Sequence, residues 1–162
     1  MMLVIVSIIN YDYRHIMTAF ATNRKALFNY DIRESLEAGI ELLGWEVKSI
    51  KNGRVDLSGS YGIIRGNEVW LINLDIPLYQ PKNTLGDPDT SRTRRLLLGK
   101  KEIAEIFRRT ESERISIIPL KLYSKNGRIK VNIGLGFPRN KSDKREAIKK
   151  RDISREIGQK IK

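Results

Sequence analysis

The strongest local constraint in this sequence is the pair Asn126-Gly127, which lies between two runs of alternating apolar and polar residues. Asn-Gly at such a position favours a two-residue turn in which both residues have positive φ. We therefore predict a β-hairpin with strands over residues 115–124 and 128–135. The second strand has an apolar face and a polar, mainly basic face, formed by Ile129, Val131 and Ile133 against Arg128, Lys130 and Asn132.

The rest of the sequence also favours short strands joined by turns. Gly53 follows a short amphipathic run as a helix-ending residue, and Thr93 is a suitable N-cap for a second helix. Six strands with two interposed helices indicate a mainly β fold, and we expect a small OB-like antiparallel β-barrel. The predicted strands cover residues 27–32, 37–43, 61–64, 68–75, 115–124 and 128–135, and the predicted helices cover residues 44–52 and 93–109.

Composition restricts the chemistry available to the chain. It has 162 residues, no cysteine and a single histidine, His15. Disulfides, thiolate catalysis and cysteine zinc sites are therefore excluded, and most histidine-based sites are disfavoured. We predict no catalytic residue, no metal site and no cofactor. The net charge of +12 favours a polyanionic partner, nucleic acid before membrane.

The first sixteen residues are set apart by their apolar opening, MMLVIVSII. This run is too short to span a bilayer and lacks the features of a signal peptide. It could be an extra strand, a disordered apolar tail or an upstream extension that is not translated. We favour the third interpretation, because Met17 begins an ordinary N-terminus.

The last 22 residues, 141–162, concentrate positive charge. They contain nine Lys or Arg and four Asp or Glu, and their sparse isoleucines Ile153, Ile157 and Ile161 follow helical spacing. A helix with so little to bury is marginal in water. We expect this basic tail to be disordered when free and helical on a polyanion, the alternative being a solvated helix with no specific role.

Three further patterns were weighed for function. Arg92, Arg94 and Arg95 lie at the start of the predicted second helix, where backbone N–H groups would favour phosphate. The Pro-rich loop before them contains Asp87 and Asp89, which are more typical of Asx turns than of a metal site. Tyr61, Trp70, Tyr79 and Tyr123 could stack on bases, the alternative for Trp70 being a place in the core.

A series of short blocks, in order, resembles the SsrA-binding protein (small protein B) family between Asn23 and Arg151. The blocks are Asn23 to Ala26, Glu37 to Ile40, Glu46 to Ser49, Ser58 to Tyr61, Glu68 to Leu71, Arg92 to Leu98, Pro119 to Tyr123 and Asp143 to Arg145. The resemblance implies an OB-like barrel that binds the tRNA-like domain of transfer-messenger RNA (tmRNA). It further implies delivery, with elongation factor Tu and alanyl-tmRNA, to ribosomes stalled without a stop codon.

The resemblance assigns roles to particular residues. Asn23, Glu37, Leu97 and Gly99 fall where the family contacts RNA, although Gly99 departs from the Asn or His common there. Glu37 would accept hydrogen bonds from base or ribose groups, and one of three consecutive leucines is expected to be exposed, which fits Leu97. With the basic positions named above, the expected RNA-binding set is Asn23, Glu37, Arg92, Arg94, Arg95, Leu97, Gly99, Arg128 and Lys130.

The C-terminal tail of the family enters the vacant decoding site and the empty mRNA channel of the ribosome. Asp143-Lys144-Arg145 matches its start, but Ser142 stands where the family has an aromatic residue or His. We therefore expect an extension at 1–16, a barrel at 17–136 and a tail at 137–162, in a cytoplasmic, monomeric, non-enzymatic adaptor. The expected tail contacts are Asp143, Lys144, Arg145, Lys149, Lys150, Arg151, Ile153, Ile157 and Ile161.

Two other functions remain open from the residues alone. A basic barrel with a basic tail also suits a ribosomal or assembly protein that holds ribosomal RNA permanently. The second alternative is a small metal-dependent nuclease that uses Asp87, Asp89 or Glu37. It is the weaker one, because the sequence lacks a convergent cluster of acids.

Overall fold

A computed structural model describes residues 19–83 and 86–140, together with residues 142, 145 and 148. Seven strands and three α-helices follow one another in this part of the chain. A 3-10 turn, Pro81–Asn83, lies in the long loop between β4 and β5. The elements are β1 (Ala19–Thr22), α1 (Arg24–Asn29), β2 (Tyr30–Ile40), α2 (Gly44–Lys51), β3 (Tyr61–Arg65), β4 (Glu68–Ile72), β5 (Arg94–Leu97), α3 (Lys100–Glu113), β6 (Ser116–Lys125) and β7 (Arg128–Pro138).

The strands form one antiparallel sheet whose pairings return to their starting point. The order is β1-β6-β3-β4-β5-β2-β7, and β7 also pairs with β6. Six strands are therefore joined in a cycle, while β1 pairs with the end of β6 near Tyr123. This arrangement is compatible with the OB-like barrel expected from the sequence. The main apolar cluster lies on the inner face of the sheet and includes Val69, Leu71, Leu96, Val131 and Ile133.

The hairpin predicted at Asn126-Gly127 is confirmed. Both residues have positive φ, 50° and 72°, and Lys125 is paired with Arg128 across the turn. The prediction that Val131 and Ile133 point inward is also confirmed, since both are fully buried. The second predicted hairpin is formed by β3 and β4, and Gly66 adopts the positive φ that its turn requires.

Two glycines allow neighbouring strands to approach closely. A Cβ added at Gly62 would lie 2.4 Å from Cγ2 of Ile117, and one added at Gly136 would lie 2.3 Å from the backbone oxygen of Asp31. Side chains cannot be accommodated at these distances. The strand predicted over residues 128–135 is longer than expected, and Gly136 lies inside β7, where it is paired with Ile32 of β2.

Other sequence predictions were wrong in detail. Residues 27–32 were expected to form a strand, but the chain is helical to Asn29 and β2 begins at Tyr30. The helix expected from Thr93 begins only at Lys100, and Arg94 to Leu97 form the strand β5. The sheet has seven strands rather than six, because β1 and β5 were missed and the strands predicted over residues 27–32 and 37–43 belong to one strand, β2. α2 was predicted within one residue of its observed bounds.

Two parts of the sequence interpretation lie outside the described residues. The extension at 1–16 is one, and most of the tail is the other. Among the residues that are described, no helix is long and apolar enough to cross a membrane.

Candidate nucleic-acid interface

A row of paired residues crosses the outer face of the sheet beside β2. Gly39 is paired with Leu97 of β5 on one side and with Lys130 of β7 on the other, and Lys130 is paired with Tyr123 of β6. Paired residues of antiparallel strands point to the same face. The four positions therefore form one row, and their neighbours along the strands, such as Leu96 and Val131, point into the core.

Glu37 lies on the same face, two residues before Gly39 on β2. Its Oε2 accepts hydrogen bonds from the Tyr123 hydroxyl at 2.5 Å and from Lys125 Nζ at 2.9 Å, and its Oε1 accepts one from Lys125 Nζ at 3.1 Å. The Glu37 side chain keeps 32% of its surface exposed. We call Glu37, Leu97, Tyr123, Lys125 and Lys130 the outer patch.

The outer patch keeps Glu37 ionised. Burial by itself would raise the pKa of this carboxyl group, but the hydrogen bonds from Tyr123 and Lys125, with the charges of Lys125 and Lys130, hold the pKa below its ordinary value. Burial and the neighbouring Glu37 raise the pKa of Tyr123 well above the usual range of a phenol. The pair therefore consists of a carboxylate acceptor and a protonated hydroxyl donor.

Leu97 supplies an apolar surface in the outer patch. Its side chain is 51% exposed, whereas Leu96 is buried and Leu98 is partly buried. The exposure predicted for Leu97 is confirmed, although alternation along a strand rather than a helical position produces it. The side chain lies over Gly39, where the missing Cβ leaves room for it.

Basic side chains lie on the two strands beyond β2 from Leu97. Arg128 is exposed and is paired with Lys125 across the Asn-Gly turn, and Lys130 is partly exposed. The outer patch thus places an apolar side chain, a carboxylate acceptor and cationic groups on one face, with Arg128 next to it.

Gly99 lies two residues beyond Leu97 and is the N-cap of α3. It is exposed, and its N–H donates to Glu102 Oε2 at 2.7 Å. The Gly99 N–H at the start of α3 is therefore already bonded to an acidic side chain. A phosphate bound there would compete with Glu102.

The placement of three arginines at a helix start is wrong. Arg94 lies in β5 with none of its surface exposed, so it offers no atom to RNA in this structure. Arg92 and Arg95 keep partial exposure but are engaged in ion pairs, Arg92 with Glu46 and Arg95 with Glu41 and Glu68.

Arg94 and Glu46 instead form a buried ion pair that the sequence reasoning missed. Glu46 accepts from Arg94 Nε at 2.9 Å and from Arg92 Nη2 at 2.5 Å. The Nη1 and Nη2 atoms of the Arg94 guanidinium group donate to the backbone oxygens of Leu74, Arg92 and Thr90. This network ties α2 to the loop before β5, and no local sequence pattern indicates it, because Glu46 lies 48 residues before Arg94.

Burial and charge act in opposite directions on this network. Burial alone would raise the pKa of Glu46, but the hydrogen bonds from Arg92 and the Leu43 N–H, with the charge of Arg94, hold it below its ordinary value. Burial lowers the pKa of Arg94 despite Glu46. Because arginine starts from so high a pKa, both partners are charged near neutral pH.

Asn23 also has a structural position. It is only 5% exposed, and its Oδ1 caps α1 by accepting from the Ala26 N–H at 3.0 Å. Its side-chain amide donates to the backbone oxygens of Leu57 and Pro119 at 3.2 and 3.0 Å. Asn23 was expected to offer its side chain to RNA, but it is a buried helix cap. An asparagine immediately before a helix is a preferred N-cap residue, so the sequence could have indicated this role.

Comparison with known proteins identifies the family. The family model described as SmpB protein matches residues 20–162, which is most of the chain. The chain belongs to the SmpB family.

Individual relatives agree with the SmpB family assignment. An SsrA-binding protein of Mesoplasma florum is 48% identical over 142 residues, covering 88% of this chain and 95% of the relative. Another, from Elusimicrobium minutum, is 49% identical over 137 residues, covering 85% and 87%. A chain from a solved structure of tmRNA–SmpB in the bacterial ribosome is 37% identical, with a TM-score of 0.63 over 79% of this chain and 93% of that one.

The part of the SmpB family match that corresponds to the tail is described at few positions. Arg145 is helical and exposed, as are Ser142 and Ile148. The other predicted tail contacts lie outside the described residues, and these are Asp143, Lys144, Lys149, Lys150, Arg151, Ile153, Ile157 and Ile161.

The remaining candidates separate into different environments. Trp70 lies on the partly exposed outer side of β4, while Val69 and Leu71 point into the core. Asp89 accepts from the Ser91 N–H at 2.8 Å and so forms the expected Asx turn. Within the described part of the chain, no group of three or more His, Cys, Asp or Glu residues is placed to hold a metal ion.

Proposed function

We propose that this protein binds the tRNA-like domain of tmRNA through the outer patch and acts as an adaptor in trans-translation. The observation that carries the proposal is the exposed Leu97 beside the Glu37 carboxylate, with Lys125 and Lys130 around them. The chain also belongs to the SmpB family, and its relatives are named SsrA-binding proteins.

The mixture of groups in the outer patch suits a folded RNA better than a plain phosphate backbone. A carboxylate repels phosphate, so Glu37 favours contact with amino, imino or hydroxyl donors of exposed nucleotides. Leu97 can cover an apolar base or ribose surface, while the lysines attract the flanking phosphates. The net charge of +12 supports the long-range attraction.

The basic tail, which follows the barrel, acts on the ribosome in this proposed function. The barrel holds tmRNA, with elongation factor Tu and alanyl-tmRNA as part of the delivered complex, and the tail enters the decoding site and the empty mRNA channel. A channel that contains mRNA excludes the tail by volume. The protein itself then carries out no catalytic step, and its place of action is the cytoplasm.

Binding to isolated RNA tests the first half of this proposal. The full chain should bind the tRNA-like domain of tmRNA more tightly than an elongator tRNA of equal length, at a fixed and stated salt concentration. Leu97→Ala should weaken the specific complex and leave binding to the elongator tRNA unchanged. Equal binding to both RNAs by the unaltered protein would overturn the proposal.

Deletion of residues 141–162 tests the second half. The shortened protein should bind the tRNA-like domain nearly as well as the full chain but fail to support tagging on ribosomes stalled at the end of a truncated message. Loss of both properties together would contradict the separation of barrel and tail. Retention on salt-washed translating ribosomes would instead favour a permanent ribosomal protein.

A further inference from the structure

We infer that Tyr123 is a positioning residue for the RNA interface, which it serves by orienting the Glu37 carboxylate toward a hydrogen-bond donor on the RNA. This inference rests on the proposed function and adds a residue to it. Tyr123 is itself only 6% exposed, so its contribution passes through Glu37 rather than through direct stacking on a base.

The geometry leaves one carboxylate oxygen with capacity for a ligand. Oε2 of Glu37 receives both the Tyr123 hydroxyl, at 2.5 Å, and Lys125 Nζ, at 2.9 Å. Among the described residues, Oε1 receives only Lys125 Nζ, at 3.1 Å. Each carboxylate oxygen can accept about two hydrogen bonds, so Oε1 retains acceptor capacity on a side chain that is 32% exposed.

Tyr123 restrains the orientation of the Glu37 carboxylate, which Lys125 alone cannot do. Lys125 Nζ contacts both oxygens from a long, 43% exposed side chain, so it does not distinguish one carboxylate rotamer from another. Tyr123 donates from a buried ring on β6 to one oxygen only, across the intervening strand β7. The hydroxyl therefore sets which oxygen faces outward before RNA arrives, which lowers the ordering cost of binding.

The charged and titratable groups around Glu37 come from two strands. Tyr123 and Lys125 lie on β6, and Lys130 lies on β7, where the uncharged Asn132 is directly paired with Glu37. Removing the Tyr123 hydroxyl leaves the ring in place and leaves both lysines charged. The pKa of Glu37 should then rise toward its ordinary value, since a donor to the charged form has been lost.

The test is a double-mutant cycle on the full-length protein with the tRNA-like domain of tmRNA as the probe. Tyr123→Phe should weaken binding about tenfold, as expected for loss of a hydrogen bond to a charged group. In a Glu37→Ala background the same change should have almost no effect, because there is no carboxylate left to orient. Tyr30→Phe, which removes a hydroxyl near the start of β2, serves as the control and should bind like the unaltered protein.

A second measurement keeps the inference testable if Tyr123→Phe folds poorly, because it does not need that variant. NMR titration of the Glu37 carboxyl group in the free, unaltered protein should give a pKa below the ordinary value, and the pKa should stay below that value in Lys125→Gln, where Tyr123 remains as a donor. An ordinary Glu37 pKa in Lys125→Gln, or an equal loss of binding by Tyr123→Phe with and without Glu37, would overturn the positioning role. Failure of the unaltered protein to bind the RNA would refute the proposed function instead, and the titration would still decide the Tyr123–Glu37 link.

Discussion

The side chain of Leu97 lies directly over Gly39 on the adjacent strand, with its Cβ 3.0 Å from the point that a Cβ on residue 39 would occupy. Because Gly39 has no side chain, the Leu97 side chain can lie close to β2 on the outer surface. Because β5 contributes only four residues to the sheet, this contact is a large part of what holds Leu97 in place.

Leu97→Ala should weaken binding to the tRNA-like domain by about tenfold while changing the free energy of unfolding by less than about 0.5 kcal/mol, since half of the side chain is exposed. Isothermal calorimetry and urea denaturation measure the two quantities. Leu43→Ala is the matched control, because Leu43 is 48% exposed at the start of α2 and lies outside the outer patch. An equal loss of binding in both variants would argue against a specific role of Leu97.

Gly39→Ala should also weaken RNA binding, by about threefold, because the new Cβ forces Leu97 to shift by a few tenths of an ångström. Gly39→Val should have a larger effect. Gly44→Ala is a suitable control, since a Cβ at residue 44 meets no atom within 4 Å. Unchanged affinity in Gly39→Val would show that the position of Leu97 does not matter for binding.

Removal of the Glu46 carboxylate should destabilise the folded protein. Glu46→Gln leaves the fully buried Arg94 without a counter-charge, so we expect a loss of about 3 to 5 kcal/mol in the free energy of unfolding. Urea denaturation provides the measurement. Glu105→Gln removes an exposed ion pair on α3 and should have little effect.

The same carboxylate predicts a pH dependence. The pKa of Glu46 is lower in the folded state than its ordinary value of 4.5, so its contribution to stability is present above that value and is lost as the pH falls through the lower, folded-state pKa. The stability of Glu46→Gln should vary less with pH in this acid range. Identical pH profiles for the two proteins would contradict the ion pair.

Asn23 should affect folding more than recognition. Asn23→Ala removes a helix cap and the side-chain amide that donates to the backbone oxygens of Leu57 and Pro119, at an expected cost of about 1 to 3 kcal/mol. Asn23→Ser can restore the cap but cannot reach the two oxygens, so its stability should be intermediate. A loss of RNA affinity in Asn23→Ala at full stability would restore the direct contact implied by family resemblance.

The tail prediction concerns residues that act after RNA has been bound. Replacing Ile153, Ile157 and Ile161 together with Ser preserves all charges, so binding of the tRNA-like domain should be unchanged while tagging on stalled ribosomes decreases. Tagging of a reporter made from a message without a stop codon measures the effect. Normal tagging would indicate that the tail acts through charge alone.

The sequence predicted the parts of the fold in which local chemistry and tertiary structure agree. Asn126-Gly127 determined a hairpin because its two positive φ values suit few other residues, and alternation after it correctly separated Val131 from Lys130. β5 was not predicted because Arg94 points inward beside Leu96. A charged residue in the core hides the two-residue period, and its partner Glu46 is 48 residues away.

The site followed a similar pattern. Leu97 was correctly expected at the surface, since three consecutive leucines cannot all be buried on one element. Tyr123 was weighed only as a stacking residue, because nothing local indicates that its hydroxyl reaches Glu37, 86 residues earlier. Contacts between distant strands depend on the register of β2 with β7, which no local pattern determines.

That register has a consequence for how the protein is made. Glu37 emerges early in synthesis, but its paired residue Asn132 and its donor Lys125 belong to the last two strands. Long-range pairing of this kind forms late in folding. A chain released before β7 is complete would lack the surface that holds Leu97, Glu37 and Lys130 together. We therefore expect unfinished copies of the protein to compete poorly with finished ones for the RNA.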